Sequence, residues 1–186
     1  VNKNLLIDIG VRLVNYLNLG PSTLARYEPN TPREINTVVD TLTIKSGGVE
    51  SSFSNVEPRL GLRYKLDDLT SVKFGYNRMN QYLQMLTNLT TPLPTVRWKS
   101  SNRYLQPIHS NLLSLGVFKN TKNGRWEWSL EGYYRNQKNI VDFVNGAELT
   151  VSQNIETQFI SGKAKSYGLE LMLNKKKGVV TGWASY

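Results

Sequence analysis

The residue types that could do chemistry are sparse. His109 is the single histidine and there is no cysteine. Two-histidine zinc motifs, thiolate metal sites and Cys/His nucleophilic pairs are therefore excluded. A Ser/His/Asp triad would have to be built on His109 beside Ser110, and no nucleophile-elbow motif presents a serine. The glycines Gly10, Gly61, Gly75, Gly116, Gly132 and Gly168 are too dispersed to cradle a phosphate. They recur inside alternating runs, where glycine marks a bend or a close approach. Three lysines in "NKKKG", residues 174–178, have no interleaved aromatic residues and make a poor stacking platform for bases, so they read as a solvated turn. "NLT" at 88–90 fits a glycosylation acceptor and carries no weight alone. The net charge of +9 raises nucleic acid or an anionic membrane surface as partners. Alternation, however, puts the aromatic residues and the cations on opposite faces, which a nucleic-acid-binding barrel would not do. The expectation is a protein that is not an enzyme, with no catalytic residues, cofactor, metal or nucleic-acid partner.

What positions the remaining polar residues is a set of strands. "RWEWSLEGYYR", residues 125–135, sets Trp126, Trp128, Leu130, Gly132 and Tyr134 against Glu127, Ser129, Glu131, Tyr133 and Arg135. Such period-two alternation predicts a strand with two unlike faces. The same pattern recurs in "LLIDIGVRLV", "EPRLGLRYKL", "SVKFGYNR", "SNLLSLGVFK" and "KSYGLELMLN", and a seventh strand is predicted from Val179. Glu57 and Pro58 open the second of these, where proline favours an extended start. Connections between strands alternate in length. "DDLT", "NTKNG" and "KKKG" are tight polar turns, whereas residues 18–55, 79–109 and 136–162 are long. Connections beyond about 15 residues are uncommon within a compact domain.

All long connections thus fall at one end of the sheet and all short ones at the other, as in an outer-membrane barrel. No stretch approaches the roughly 20 apolar residues of a spanning helix. In lipid a sheet must satisfy its backbone groups between strands and turn apolar side chains outward. Trp126 and Trp128 directly follow a short turn, where an interfacial aromatic girdle belongs. Tyr64 and Tyr76 are further girdle candidates on the same side. A secreted β-sandwich or adhesin-like binding module is the alternative: it shares the alternation, but its apolar stripes would face each other about 10 Å apart.

Several stretches together carry a family resemblance. "EPRLGLRYKLDDLTSVKFGYNRMNQYLQMLTN" (57–88) resembles the barrel of the TonB-dependent outer-membrane receptors in the form common among Bacteroidetes-type bacteria. "LPTVRW", "QPIHSNLLSLG", "GYYRNQKNIVDFVNGAEL" and "GKAKSYGLELML" with "GWASY" resemble the same family in the same order. The resemblance covers about residues 55–186; residues 1–54 add one compatible strand. It implies an all-β, antiparallel up-and-down transmembrane barrel of 22 strands around a plug, in the outer membrane of a Gram-negative bacterium. The implied activity is uptake of a scarce ligand, such as a siderophore or an oligosaccharide, driven through the TonB complex. The implied partners are the plug domain, the TonB complex, outer-membrane lipid and, further, a surface lipoprotein. Seven strands cannot close such a barrel. Residues 1–186 are accordingly read as an internal piece of one barrel domain, cut at both ends, without plug or closing strands.

Within that frame two groups of residues stand out. Arg59, Arg63, Lys73, Glu131, Arg135 and Glu170 fall on the polar face, where they would line the lumen and hold the plug. Gln81, Tyr82, Trp98, Tyr104 and His109 in one long loop, and Asp142, Phe143 and Glu148 in another, are the candidates for ligand contact, since aromatic side chains there can stack on a sugar, a chelate or a peptide.

Overall fold

The computed structural model describes residues 3–86, 97–144, 147 and 154–186. Its strands are, in chain order, β1 (Leu5–Leu19), β2 (Ser22–Tyr27), β3 (Val38–Ile44), β4 (Val49–Lys65), β5 (Thr70–Gln81), β6 (Leu83–Leu86), β7 (Arg97–Ser100), β8 (Ile108–Asn120), β9 (Trp126–Phe143), β10 (Phe159–Lys175) and β11 (Gly182–Ser185). A seven-stranded antiparallel sheet runs β1-β4-β5-β8-β9-β10-β11, while β2-β3 and β6-β7 are separate hairpins. All seven expected strands lie in the large sheet, in chain order, the last beginning at Gly182 and not at Val179, which lies in the bend before it. Among the described residues no helix is long and apolar enough to cross a membrane.

Register explains why the alternation had to be this regular. Ile7, Leu62, Phe74, Leu115, Gly132 and Leu169 stand side by side across six strands. One residue along each strand, Leu6, Arg63, Lys73, Gly116, Glu131 and Glu170 make the neighbouring row. A strand's side chains alternate between faces, so the first row belongs to an apolar face and the second to a polar one. The apolar face is not covered. Ile9 is 72% exposed and Leu169 69%. Among the described residues the buried hydrophobic side chains are Ala25, Leu86, Leu105, Ile155 and Phe159, all at the loop end. A β-sandwich would have buried these stripes against a second sheet; here the other sheets are the two loop hairpins.

Three features differ from expectation. Strands β9 and β10, at 18 and 17 residues, are longer than the ten or so that span hydrocarbon. They continue past the apolar band into polar sequence, carrying the wall into the loops. The segments 18–55 and 79–109 are not simple loops: β1 runs to Leu19, β4 starts at Val49, and each segment contains a hairpin. Tyr76, expected beside the short turns, sits in the row Ile9, Leu60, Tyr76, Leu113, Tyr134 and Tyr167 on the loop side of the band. It belongs with Tyr134 and Tyr167 in the opposite girdle, because β5 runs away from its turn. Tyr64, Trp126 and Trp128 remain near the turns. From Trp126 to Tyr134 is eight residues, about 27 Å along a strand, or about 20 Å across a bilayer at a tilt near 40°.

Candidate functional site

The short turns are built locally. The Asp67 carboxylate accepts the Leu69 N–H at 2.7 Å, and this backbone bond holds its pKa below the usual carboxylate value. In the next turn Thr121 Oγ1 donates to Asn123 Oδ1, and Gly124 takes the left-handed φ of +61° that closes the bend. Lys176 pairs with Glu127 across to the following strand.

Above the turns, the polar face carries all six residues expected to line a lumen. Arg63 stands beside Lys73 and Glu131 beside Glu170, with Gly116 of β8 between the two pairs. Arg59 and Arg135 share a second row with Asn77 and Leu112. Among the described residues none of the six is in an ion pair. Lys73 instead places its Nζ 3.9 Å from the Phe118 ring centroid, a cation–π contact. Arg135 Nε and Asn77 Oδ1 are buried without a hydrogen-bond partner. Glycine on this face makes room: a Cβ at Gly168 would lie 2.8 Å from the Tyr133 ring, which lies over that position.

At the loop end the polar residues are satisfied internally. Glu57, 3% exposed, accepts both the backbone N–H and the side-chain amide of Asn80, at 2.9 and 3.0 Å. Arg12 Nε approaches the same carboxylate at 3.9 Å. This plugs the gap where β4 and β5 part, their pairing having ended at Arg59 and Asn77. Beyond it, three chain segments dock on one another. Tyr104 Oη donates to the Ala25 carbonyl at 2.6 Å, and Arg33 Nη1 donates to the Tyr104 carbonyl. The Arg33 guanidinium lies 5.6 Å from the Tyr104 ring and 5.3 Å from that of Phe159. Tyr27 Oη donates to Glu156 Oε1, and Lys99 lies 3.9 Å from the other oxygen of that buried carboxylate. Burial, then the adjacent Glu156, pushes the Tyr27 pKa well above the ordinary tyrosine range.

The expected ligand-contact residues separate on this geometry. Tyr82 stacks on Tyr16, ring centroids 4.8 Å apart, and its hydroxyl accepts from Asn55. His109 Nδ1 bonds Asn80 Oδ1 on the neighbouring strand. Phe143 pairs in register with Phe159, and Tyr104 is held as described. Asp142 is exposed, its Oδ1 accepting the Phe143 N–H. Gln81 is exposed and donates to the Leu83 carbonyl. Trp98, paired with Met85 across the β6–β7 hairpin, is 62% exposed. Glu148 lies outside the described residues. Arg33 and Glu156 were not singled out from sequence, because their partners Tyr104 and Tyr27 lie 71 and 129 residues away. No group of three or more metal-ligating side chains occurs among the described residues.

The wall thus has one bare apolar face, charges without ion pairs among the described residues on the other, and loops gathered at one end. Residues 1–186 match the family "TonB dependent receptor-like, beta-barrel". The chain belongs to this family. No curated protein and no solved structure gives a significant match. The match takes in residues 1–54, which carried no resemblance of their own, and so assigns β1 and the β2–β3 hairpin to the TonB-dependent receptor barrel. In such a receptor the apolar face is the outer wall, the polar face the lumen and the short turns the periplasmic rim.

Proposed function

We propose that the chain forms part of the wall of a receptor in the outer membrane of a Gram-negative bacterium, which imports a scarce ligand by energy coupling through the TonB complex. One observation carries the reading: apolar side chains left exposed in register across the sheet, from Ile7 on β1 to Leu169 on β10. In water that surface would drive aggregation, whereas in hydrocarbon it is the resting state. The six charged residues of the lumen face supply the complementary half. With no ion pair among the described residues, Arg59, Arg63, Lys73 and Arg135 favour acidic groups on the plug, and Glu131 and Glu170 favour basic ones. Ligand, a siderophore or an oligosaccharide by class, enters from the loop end. There Trp98, Gln81 and Asp142 are the exposed contacts, while Tyr82, Tyr104, His109 and Phe143 hold the loops that present them. A surface lipoprotein on the same rim is a further partner.

The test is partition of the expressed chain between buffer and detergent micelles, followed by a gel with and without heating. Insolubility without detergent and a heat-modifiable band with it are expected. A soluble, monomeric, cooperatively folded chain in plain buffer overturns the membrane assignment. For energy coupling, ligand accumulation by cells carrying the intact receptor should vanish when TonB is removed.

A further inference from the structure

The tip of the β2–β3 hairpin is built around Arg33. Between Tyr27 and Val38 the chain makes a compact turn: the Glu28 N–H donates to the Thr37 carbonyl at 2.9 Å, and Thr31 Oγ1 donates to the Glu28 carbonyl at 2.8 Å. This turn carries the Arg33 guanidinium over the rings of Tyr104 and Phe159, and its hydrogen bond to the Tyr104 carbonyl uses one of its N–H groups. Among the described residues Arg33 is in no ion pair. Glu156 stands close enough for its charge to act, like that of Arg33, on the Tyr27 hydroxyl, yet its carboxylate is taken by Tyr27 and Lys99. Around Tyr104 the charges of Arg26, Arg33 and Arg103 act together against the carboxylate of Glu156. The Arg33 guanidinium is thus half-buried and fixed by packing, with donors to spare and no anion among the described residues.

Arg33 opens onto a cleft of about 460 Å³, a size within the range of small-molecule sites. Its walls are Arg33, Glu34, Ile35 and Asn36 of the hairpin tip, and Thr157 and Gln158 at the end of the helical turn Ile155–Thr157. The second wall is held from within: Ile155, Glu156 and Phe159 are buried, and Thr157 Oγ1 donates to the Asn154 carbonyl while accepting from Gln158. On the hairpin wall Glu34 and Asn36 are exposed, and Ile35 is 79% exposed. Glu34 follows Arg33 in extended backbone, where successive side chains point to opposite sides, and the two form no ion pair. The cleft therefore holds a free guanidinium and a carboxylate apart, and this sorts ligands by charge. A phosphate or a multiply anionic chelate would meet Glu34 as a like charge. A free amino acid carries its two charges on one carbon, too close to reach both. A ring with one carboxylate and several hydroxyl donors fits both groups, since a carboxylate such as Glu34 only accepts.

We propose that this cleft is a uronic-acid subsite for the imported ligand: an oligosaccharide sets the carboxylate of one sugar on the Arg33 guanidinium and donates hydroxyl hydrogen bonds to Glu34 and Asn36. Arginine suits this role because its planar fork matches the two oxygens of a carboxylate. Ile35 offers apolar surface to the C–H groups of the ring. Tyr104 and Phe159 are positioning residues, which touch the guanidinium and fix where it lies. The inference rests on the import reading above and narrows its ligand from a siderophore or an oligosaccharide to an acidic sugar.

The intact receptor, purified from its own outer membranes in non-ionic detergent, is the material for the test. Titration calorimetry would compare an aldobiouronic acid, a disaccharide with a single carboxylate, with its methyl ester and with citrate. The acid should bind about tenfold or more tighter than the ester, since a charge-assisted hydrogen bond is worth about a factor of ten. Arg33→Gln should abolish that preference, and Arg33→Lys, which keeps the charge but not the fork, should retain part of it. Glu34→Gln should strengthen citrate binding severalfold, because the like charge is gone. Protease protection of residues 20–48 shows whether the hairpin stays docked in each variant; if Arg33→Gln frees it, the exposed change Glu34→Gln carries the test. Equal binding of acid and ester, binding of neither, an undiminished ratio in docked Arg33→Gln, or no gain for citrate in Glu34→Gln overturns the inference. Citrate binding to the wild type as tightly as the acid overturns the assignment to a sugar. Accumulation of the disaccharide by cells carrying the receptor that is unchanged when TonB is removed would instead remove the import reading, whatever the calorimetry gives.

Discussion

Glu57 shows how much a single side chain does at the point where the wall opens into loops. It is buried, and its carboxylate is the partner of the Asn80 N–H and side-chain amide. Replacing it with Ala leaves that N–H without an acceptor, which costs about 1–3 kcal/mol. Glu57→Gln retains an acceptor oxygen and should lose less than half as much. Urea unfolding of the micelle-bound protein measures both; equal losses would mean that the charge facing Arg12, which both changes remove, decides, and not the acceptor oxygen that Gln keeps. Tyr27 allows a pH prediction. Its folded pKa is raised above the unfolded value of about 10. The stability it contributes is therefore fully present below pH 10 and lost as the pH climbs through the raised folded value. Protease protection of residues 20–48 should thus hold steady from neutral pH to about 10 and fall above it, and Tyr27→Phe should flatten that fall. A fall that persists unchanged in Tyr27→Phe would assign it to another group.

Among elements, the loops behave as a packed unit and the wall as a lipid-solvated one. Phe159 opens β10, is 2% exposed and lies under the Arg33 guanidinium. Phe159→Ala should cost about 3 kcal/mol or more, and the loss should fall on the loops: faster proteolysis within 20–48, with the heat-modifiable band unchanged. If the band is lost instead, the loop core and the wall fold as one cooperative unit. The difference between these two kinds of element also explains what was legible in the sequence. In the wall each residue's environment follows from its parity, so "RWEWSLEGYYR" revealed both its strand and its faces. The rows of lumen charges and of tyrosines needed register, which no single strand contains; hence Tyr76 was assigned to the wrong rim. Hairpins β2–β3 and β6–β7 were missed because they are short and lie inside long polar connections. Tyr82, Tyr104, His109 and Phe143 were recognisable as loop or strand-end residues, but aromatic type alone does not distinguish stacking on a ligand from stacking on Tyr16 or packing beside Phe159.

For the whole molecule, what decides its nature is which solvent meets the apolar face, and two adjacent residues of β10 can measure it. Leu169 lies in the apolar row and Glu170 in the lumen row, so they share a strand and a depth but point to opposite faces. Both are exposed in the chain as it stands. If water met both faces, arginine at either position would change stability by little, within about 0.5 kcal/mol. In a bilayer the two must diverge. Leu169→Arg sets a guanidinium toward the hydrocarbon one step below the tyrosine row, at a cost between the about 2–4 kcal/mol of the midplane and the about 0–1 kcal/mol of the interface, while Glu170→Arg stays in an aqueous lumen and costs little. Unfolding of the two variants in lipid vesicles should therefore differ by about 1–2 kcal/mol. Detergent micelles, being thinner and more deformable, should show a smaller gap with the same sign. A vanishing difference in vesicles would mean that no hydrocarbon contacts the Leu169 row. The outward stripes would then have to be covered by protein, and the lumen reading would lose its basis with them.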